Sequence, residues 1–169
     1  MNELKNFLDG LKIERELVTN FFITFSRFEY ALKRAGYINN REDAVANWDT
    51  FLKKHKKDFE SLCSDNFELQ KAKKYLTDYP PQKQKYGEIE GRRKQLYFQK
   101  SNINSSEIHY ILDLIKNVRN NLFHGGKYPF APSTEPARNS RLLENSLIIL
   151  ETWLELDEQV KKHFFEHLK

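Results

Sequence analysis

The chain has 169 residues, 39% hydrophobic and 31% charged, with a net charge of +4, which suits one domain spanning residues 1–169 and excludes a disordered tail. The longest aliphatic run, Leu147-Ile148-Ile149-Leu150, is far short of a membrane span, and the opening residues, with Glu3, Lys5 and Asp9, lack an apolar signal core, so no membrane contact is expected. A single cysteine, Cys63, excludes an internal disulfide framework and suits a reducing, cytoplasmic setting.

The apolar periodicity predicts an all-α bundle. Phe21, Phe25, Phe28, Leu32 and Ala35 recur at steps of four and three, which places them on one face of a first long helix stopped by Gly36. A second helix is expected over 42–62, with Val45, Trp48, Leu52, Phe59 and Leu62 opposite Lys53, Lys54, Lys56 and Lys57. A third, over 66–77, carries Leu69, Ala72, Tyr75 and Leu76 and ends at Tyr79-Pro80-Pro81, because proline disfavours helical geometry in the residue before it. Residues 82–100 form a basic stretch, Lys83, Lys85, Arg92, Arg93, Lys94 and Lys100 interleaved with Tyr86, Tyr97 and Phe98. No strand is expected there, only a short helix near 88–99. Asn104 and Glu107 match a capping box for the next helix, whose apolar face is Ile108, Ile111, Ile115, Val118 and Leu122, with Gly125-Gly126 to end it. A loop with Pro129, Pro132 and Pro136 leads to a last helix over 138–166. Its two apolar rows, Leu143, Leu147, Leu150, Leu154 and Leu142, Ile149, Trp153, Val160, suggest burial on more than one side, partly against a second subunit.

Chemistry concentrates at Arg119-Asn120-Asn121-Leu122-Phe123-His124-Gly125-Gly126. At about 100° per residue, Asn117, Asn120, Asn121 and His124 share a polar ridge, while Arg119 sits at the margin of the apolar stripe. Its stem can lie along the core while the guanidinium reaches a cleft. Arg119 and His124 are about 140° apart on a continuing helix, so they converge only if the helix ends near His124. Histidine moves protons near neutral pH, arginine matches phosphate geometry, and an amide can hold either in register. Together they suit attack of a ribose 2′-hydroxyl on the adjacent phosphate, without a metal or other cofactor. Arg and His in a last turn also serve as plain partners of the helix dipole, so spacing alone leaves both readings open.

The segment resembles the signature of the HEPN superfamily: an arginine, usually followed by Asn, Asp or His, then a histidine after four to six intervening residues. Arg119, Asn120 and His124 match it, and Val118 to Gly125 as a whole looks like the form seen in bacterial members. Phe28-Glu29-Tyr30-Ala31-Leu32-Lys33 and the helix beginning near Arg138-Asn139-Ser140-Arg141 are similar in placement. The resemblance implies an HEPN-like helical bundle that cleaves single-stranded RNA, often as a toxin or phage-defence effector. Arg119 and His124 would be the catalytic pair and Asn120 their support. It also implies a homodimer with two motifs facing one cleft, and a possible antitoxin or defence partner. The branch paired with a nucleotidyltransferase antitoxin has a tyrosine two residues after the histidine, where this chain has Gly126. The rival expectation is a non-catalytic HEPN module that binds nucleic acid, a nucleotide or a protein.

Lys127, Arg138 and Arg141 flank the motif and are candidates for RNA phosphate contacts. Glu29 lies beside the first apolar stripe, where it either faces the site or is a plain surface glutamate. His163-Phe164-Phe165-Glu166-His167 matches a zinc-peptidase pattern, but only Leu168 and Lys169 follow, so no metal site is expected. Lys53-Lys54-His55-Lys56-Lys57 reads as a solvated helix face, and Cys63 as packing.

Overall fold

Helix α1 (Arg15–Arg34) buries Phe21, Phe25, Phe28, Ala31 and Leu32 along one face. Beyond it the Gly36 N–H donates to the Lys33 carbonyl at 3.2 Å and the Tyr37 N–H to the Leu32 carbonyl at 2.9 Å, with Gly36 at φ 88°. This is a Schellman ending, which needs a left-handed residue that glycine adopts without a Cβ penalty. The structure is a computed structural model and describes residues 3, 6, 14–39, 42–88, 91, 93–100, 106–123 and 136–166.

Helix α2 (Trp48–Asp65) starts later than the expected residue 42. Asn47 accepts the Thr50 N–H at 3.1 Å and so fixes the start. The preceding residues are held extended, with Ile38 bridged to Ala46, and Val45 is exposed. Asn66 both closes α2 and caps α3 (Phe67–Asp78), accepting the Leu69 N–H at 3.0 Å.

The basic stretch is a β-hairpin, which corrects the expectation of a short helix and no strand. Strands β1 (Lys83–Gly87) and β2 (Gln95–Gln99) pair antiparallel, Lys85 opposite Tyr97 and Tyr86 opposite Leu96. The fold is therefore mostly helical with one two-stranded sheet among the described residues.

Helix α4 (Glu107–Phe123) buries Ile108, Ile111, Ile115 and Val118 as its spacing predicts. Asn104 and Gly125-Gly126 lie outside the described residues. The single last helix is two: α5 (Pro136–Leu154) and α6 (Glu158–Phe165). Asp157 starts α6 by accepting the Gln159 and Val160 N–H groups at 3.0 and 3.1 Å. Arg27 of α1 closes its other end, donating to the Phe164 carbonyl from Nε at 3.1 Å and to the His163 and Glu166 carbonyls from Nη2 at 3.0 and 2.8 Å. These are carbonyls that a helix C-terminus otherwise leaves unpaired.

Helix α5 packs against α1, α3, α4 and α6. Leu142, Leu143, Ile149, Leu150, Trp153 and Leu154 are buried within the one chain, as is Val160 of α6, and Leu147 is partly buried against the same core. The apolar width of this region reflects contacts on several sides within the bundle and needs no second subunit to cover it. Among the described residues no helix is long and apolar enough to cross a membrane.

Candidate functional site

The last turns of α4 and the middle of α1 meet at an open cleft. Phe22, Phe25, Ser26 and Glu29 come from α1, Arg119 and Phe123 from α4, around a volume of about 270 Å³. Arg119 lines it with its guanidinium over the Phe25 ring, 5.1 Å from the centroid, a cation–π contact that leaves the side chain partly exposed. Arg119 Nη1 donates to Asn120 Oδ1 at 2.8 Å, and Nη2 lies 3.9 Å from Glu29 Oε1. The same Glu29 oxygen accepts the Trp48 indole N–H at 3.3 Å, which ties the cleft to the aromatic core. Both side chains of the Arg119–Glu29 pair are about a third exposed, at 32% and 33%. A pair so placed contributes little to stability, on the order of 0–1 kcal/mol, and leaves both groups open to a ligand.

Beside the cleft Phe22 and Phe123 meet with ring centroids 5.1 Å apart, yet they are 47% and 50% exposed. A second hollow of about 200 Å³, lined by Val18, Thr19, Phe22, Leu122 and Phe123, adjoins them. The mouth of the site is thus aromatic where its floor is charged.

Of the expected site residues, Arg119 and Asn120 are brought together, with Glu29 across from them. His124 and Lys127 lie outside the described residues. Arg138 donates to the backbone carbonyls of Pro80 and Tyr79 at 3.1 and 3.4 Å, which fixes the turn between α3 and β1. Arg141 is exposed. The polar ridge does not act as one surface: Asn117 and Asn121 are buried, and Asn121 Nδ2 donates to the Gln82 carbonyl at 2.8 Å. That bond anchors the root of the hairpin to the last turn of α4. His163 Nδ1 lies 2.9 Å from Glu166 Oε2, which helps hold that carboxyl below its usual range, and His167 is outside the described residues. Burial raises the Cys63 thiol above its ordinary value, which fits packing and not reactivity.

A second polar assembly escaped the sequence reading. Asp157 Oδ2 accepts from Tyr37 Oη at 2.6 Å and from Lys54 Nζ at 3.1 Å, and His55 brings Nε2 to 3.1 Å. Burial alone would raise this carboxyl. The hydrogen bonds from Tyr37, the Val160 N–H, Lys54 and His55 outweigh it and hold Asp157 well below the usual carboxylate range. Burial and the Asp157 hydrogen bond raise the Tyr37 hydroxyl. His55 is buried, so the lysine-rich run is not wholly a solvated face, although Lys53, Lys56 and Lys57 are exposed. The available signal was Asp157 followed by Glu158, an N-cap pattern inside a stretch that otherwise reads as helix.

Comparison with protein-family models, curated proteins and solved structures finds no significant match to this chain.

Proposed function

We propose that this chain is a metal-independent endoribonuclease of the HEPN type that cleaves single-stranded RNA, as a toxin or phage-defence effector. The observation that carries the reading is Arg119: its guanidinium stands at an open cleft, oriented by Asn120 Oδ1 at 2.8 Å, and in sequence it precedes the histidine of the motif by five residues. In the proposed reaction His124 takes the proton of a ribose 2′-hydroxyl. The freed oxygen attacks the adjacent phosphorus, and the bond from phosphorus to the 5′-oxygen breaks. That oxygen leaves with a proton from an imidazolium, giving a 2′,3′-cyclic phosphate and a 5′-hydroxyl. Arg119 neutralises the charge that builds on the phosphoryl oxygens. Phe22 and Phe123 offer a base an exposed ring surface beside the phosphate. Lys127 and Arg141 would contact flanking phosphates.

Base and acid must stand on opposite sides of phosphorus, which two copies of His124 related by a two-fold axis would supply. The proposed active species is accordingly a homodimer, and light scattering at working concentration checks it. A specific observation also favours the rival, a non-catalytic HEPN module: Glu29 places a carboxylate beside Arg119, which opposes phosphate binding. The deciding experiment is incubation of the purified chain with single-stranded RNA in excess EDTA. Cleavage to cyclic-phosphate ends is expected. Activity that vanishes with chelation and returns with a divalent ion would sink the mechanism, and binding without cleavage would select the rival.

A further inference from the structure

Of the chain's 28 basic and 24 acidic residues, positions 83–100 hold six and two, so the remaining residues carry 22 of each sign and no net charge. The whole formal charge of +4 thus belongs to the hairpin segment. In an antiparallel pair, side chains alternate between the two faces. The register puts Lys83, Lys85 and Tyr97 on one face, where Tyr97 lies over Gly87: a Cβ there would meet the tyrosine Cε1 at 3.7 Å. The other face carries Gln84, Tyr86, Leu96 and Phe98. Tyr86 and Leu96 are 67% and 66% exposed, and Phe98 is exposed as well. Two strands alone are marginal in water, so three large side chains kept out of the core at a strongly cationic element mark an interaction surface.

We infer that this hairpin is a binding arm for single-stranded RNA, with Tyr86 and Phe98 stacking bases and Lys83 and Lys85 holding phosphates. A lysine that only guards a strand edge needs no exposed aromatic cluster on the opposite face of its ribbon. A duplex would offer phosphates but keep its bases stacked, whereas a single strand presents both groups. Tyr86 and Phe98 stand on adjacent diagonal positions of one face, about 7–8 Å apart, within reach of neighbouring bases of one strand. The arm is rooted on the last turns of α4, since Asn121 holds the Gln82 carbonyl at 2.8 Å. An RNA gripped there lies against the same helix that carries Arg119. The inference shares its ligand with the proposed function but does not depend on cleavage.

The test uses the full chain and a fluorescein-labelled 2′-O-methyl oligouridylate, which lacks the attacking hydroxyl and stays intact whatever the chain can cleave. Fluorescence anisotropy over a salt series is the readout. Tyr86→Ala should weaken binding roughly five- to 150-fold, and Tyr86→Phe should restore it. Lys83→Gln with Lys85→Gln should weaken binding and reduce the slope of log affinity against log salt by about 1.4. These positions are exposed, and circular dichroism confirms that each variant keeps its helical content. If wild-type protein does not bind the probe, or the variants bind it as wild type does, the inference is overturned. It is overturned too if Tyr86→Ala turns a dimer into a monomer without changing affinity, for the face then belongs to self-association. Probe binding lost in these variants, with no cleavage of ordinary RNA by wild type, would uphold the arm and remove the nuclease.

Discussion

The Asp157 cluster and the Arg119 cleft each set a carboxylate against a cation, and they end in opposite states. Around Asp157 the carboxylate is buried and meets Tyr37, His55 and Lys54 in addition to the backbone of α6. At the cleft Glu29 and Arg119 stand 3.9 Å apart, a third exposed, with exposed aromatic rings at the rim. A saturated buried network holds elements in place and leaves no vacancy for a ligand. A loose, half-exposed pair does little for the fold and keeps its hydrogen-bonding capacity for something else. The same residue types thus end in a closed network or an open pair according to burial, not identity. Substitutions at the two places should therefore move different measurements.

The largest separation is expected from His124→Ala and Arg119→Lys. Each should lower RNA cleavage by ~10²–10⁴-fold while leaving the thermal melt near that of wild type. Lysine is chosen because it keeps a positive charge on a long stem near Phe25 and loses the planar fork. A loss under about threefold would assign these residues to the structure.

The converse comes from Asp157→Ala. It removes the cap of α6 and strands Tyr37 and His55, so a loss of about 3–5 kcal/mol is expected in denaturant titration, with normal cleavage per folded molecule. If melting is unchanged, the cluster is not what holds α6.

Acid should also weaken the same cluster. Asp157 is held below its ordinary value in the folded chain. A depressed folded pKa gives stability that is present above the unfolded value, near ~3.9, and that fades as pH falls below it. The melting temperature of wild type should therefore drop on acidification below about pH 4, and that of Asp157→Asn should drop less steeply.

The smallest effect lies at the cleft. Under the proposed function Glu29→Gln removes a charge that would compete with phosphate for Arg119, so RNA affinity should rise by a factor of roughly 1.5 to 5, the range of an exposed ion pair. A fall instead would mean that Glu29 itself contacts the substrate.

Helices α1 and α4 are legible because each carries apolar residues at helical spacing, although α4 is buried on more sides than its stripe alone, and Arg119 is legible at the margin of that stripe. The hairpin was not. Leu96-Tyr97-Phe98 is a contiguous apolar run and both faces of the ribbon are largely open, so neither strand shows the alternation that burial of one face imposes. The break between α5 and α6 hid within good helix formers, Glu155, Leu156 and Glu158. The Asp157 cluster joins residues 37, 54, 55 and 157, and no local pattern links positions separated by 120 residues. Glu29 was placed beside the apolar stripe from sequence, but its position opposite Arg119 depends on how α1 packs on α4.

Glu29 Oε1 also accepts the indole N–H of Trp48, whose ring stacks on Phe28 at 4.9 Å between centroids. The other indole, Trp153, is 6.1 Å from Trp48, and its N–H is buried without a partner among the described residues. One oxygen is therefore shared between a fluorophore and the guanidinium of the cleft. An anion that draws Arg119 away alters the field and the hydrogen bond felt by Trp48, so intrinsic emission becomes an optical readout of occupancy, with no label attached.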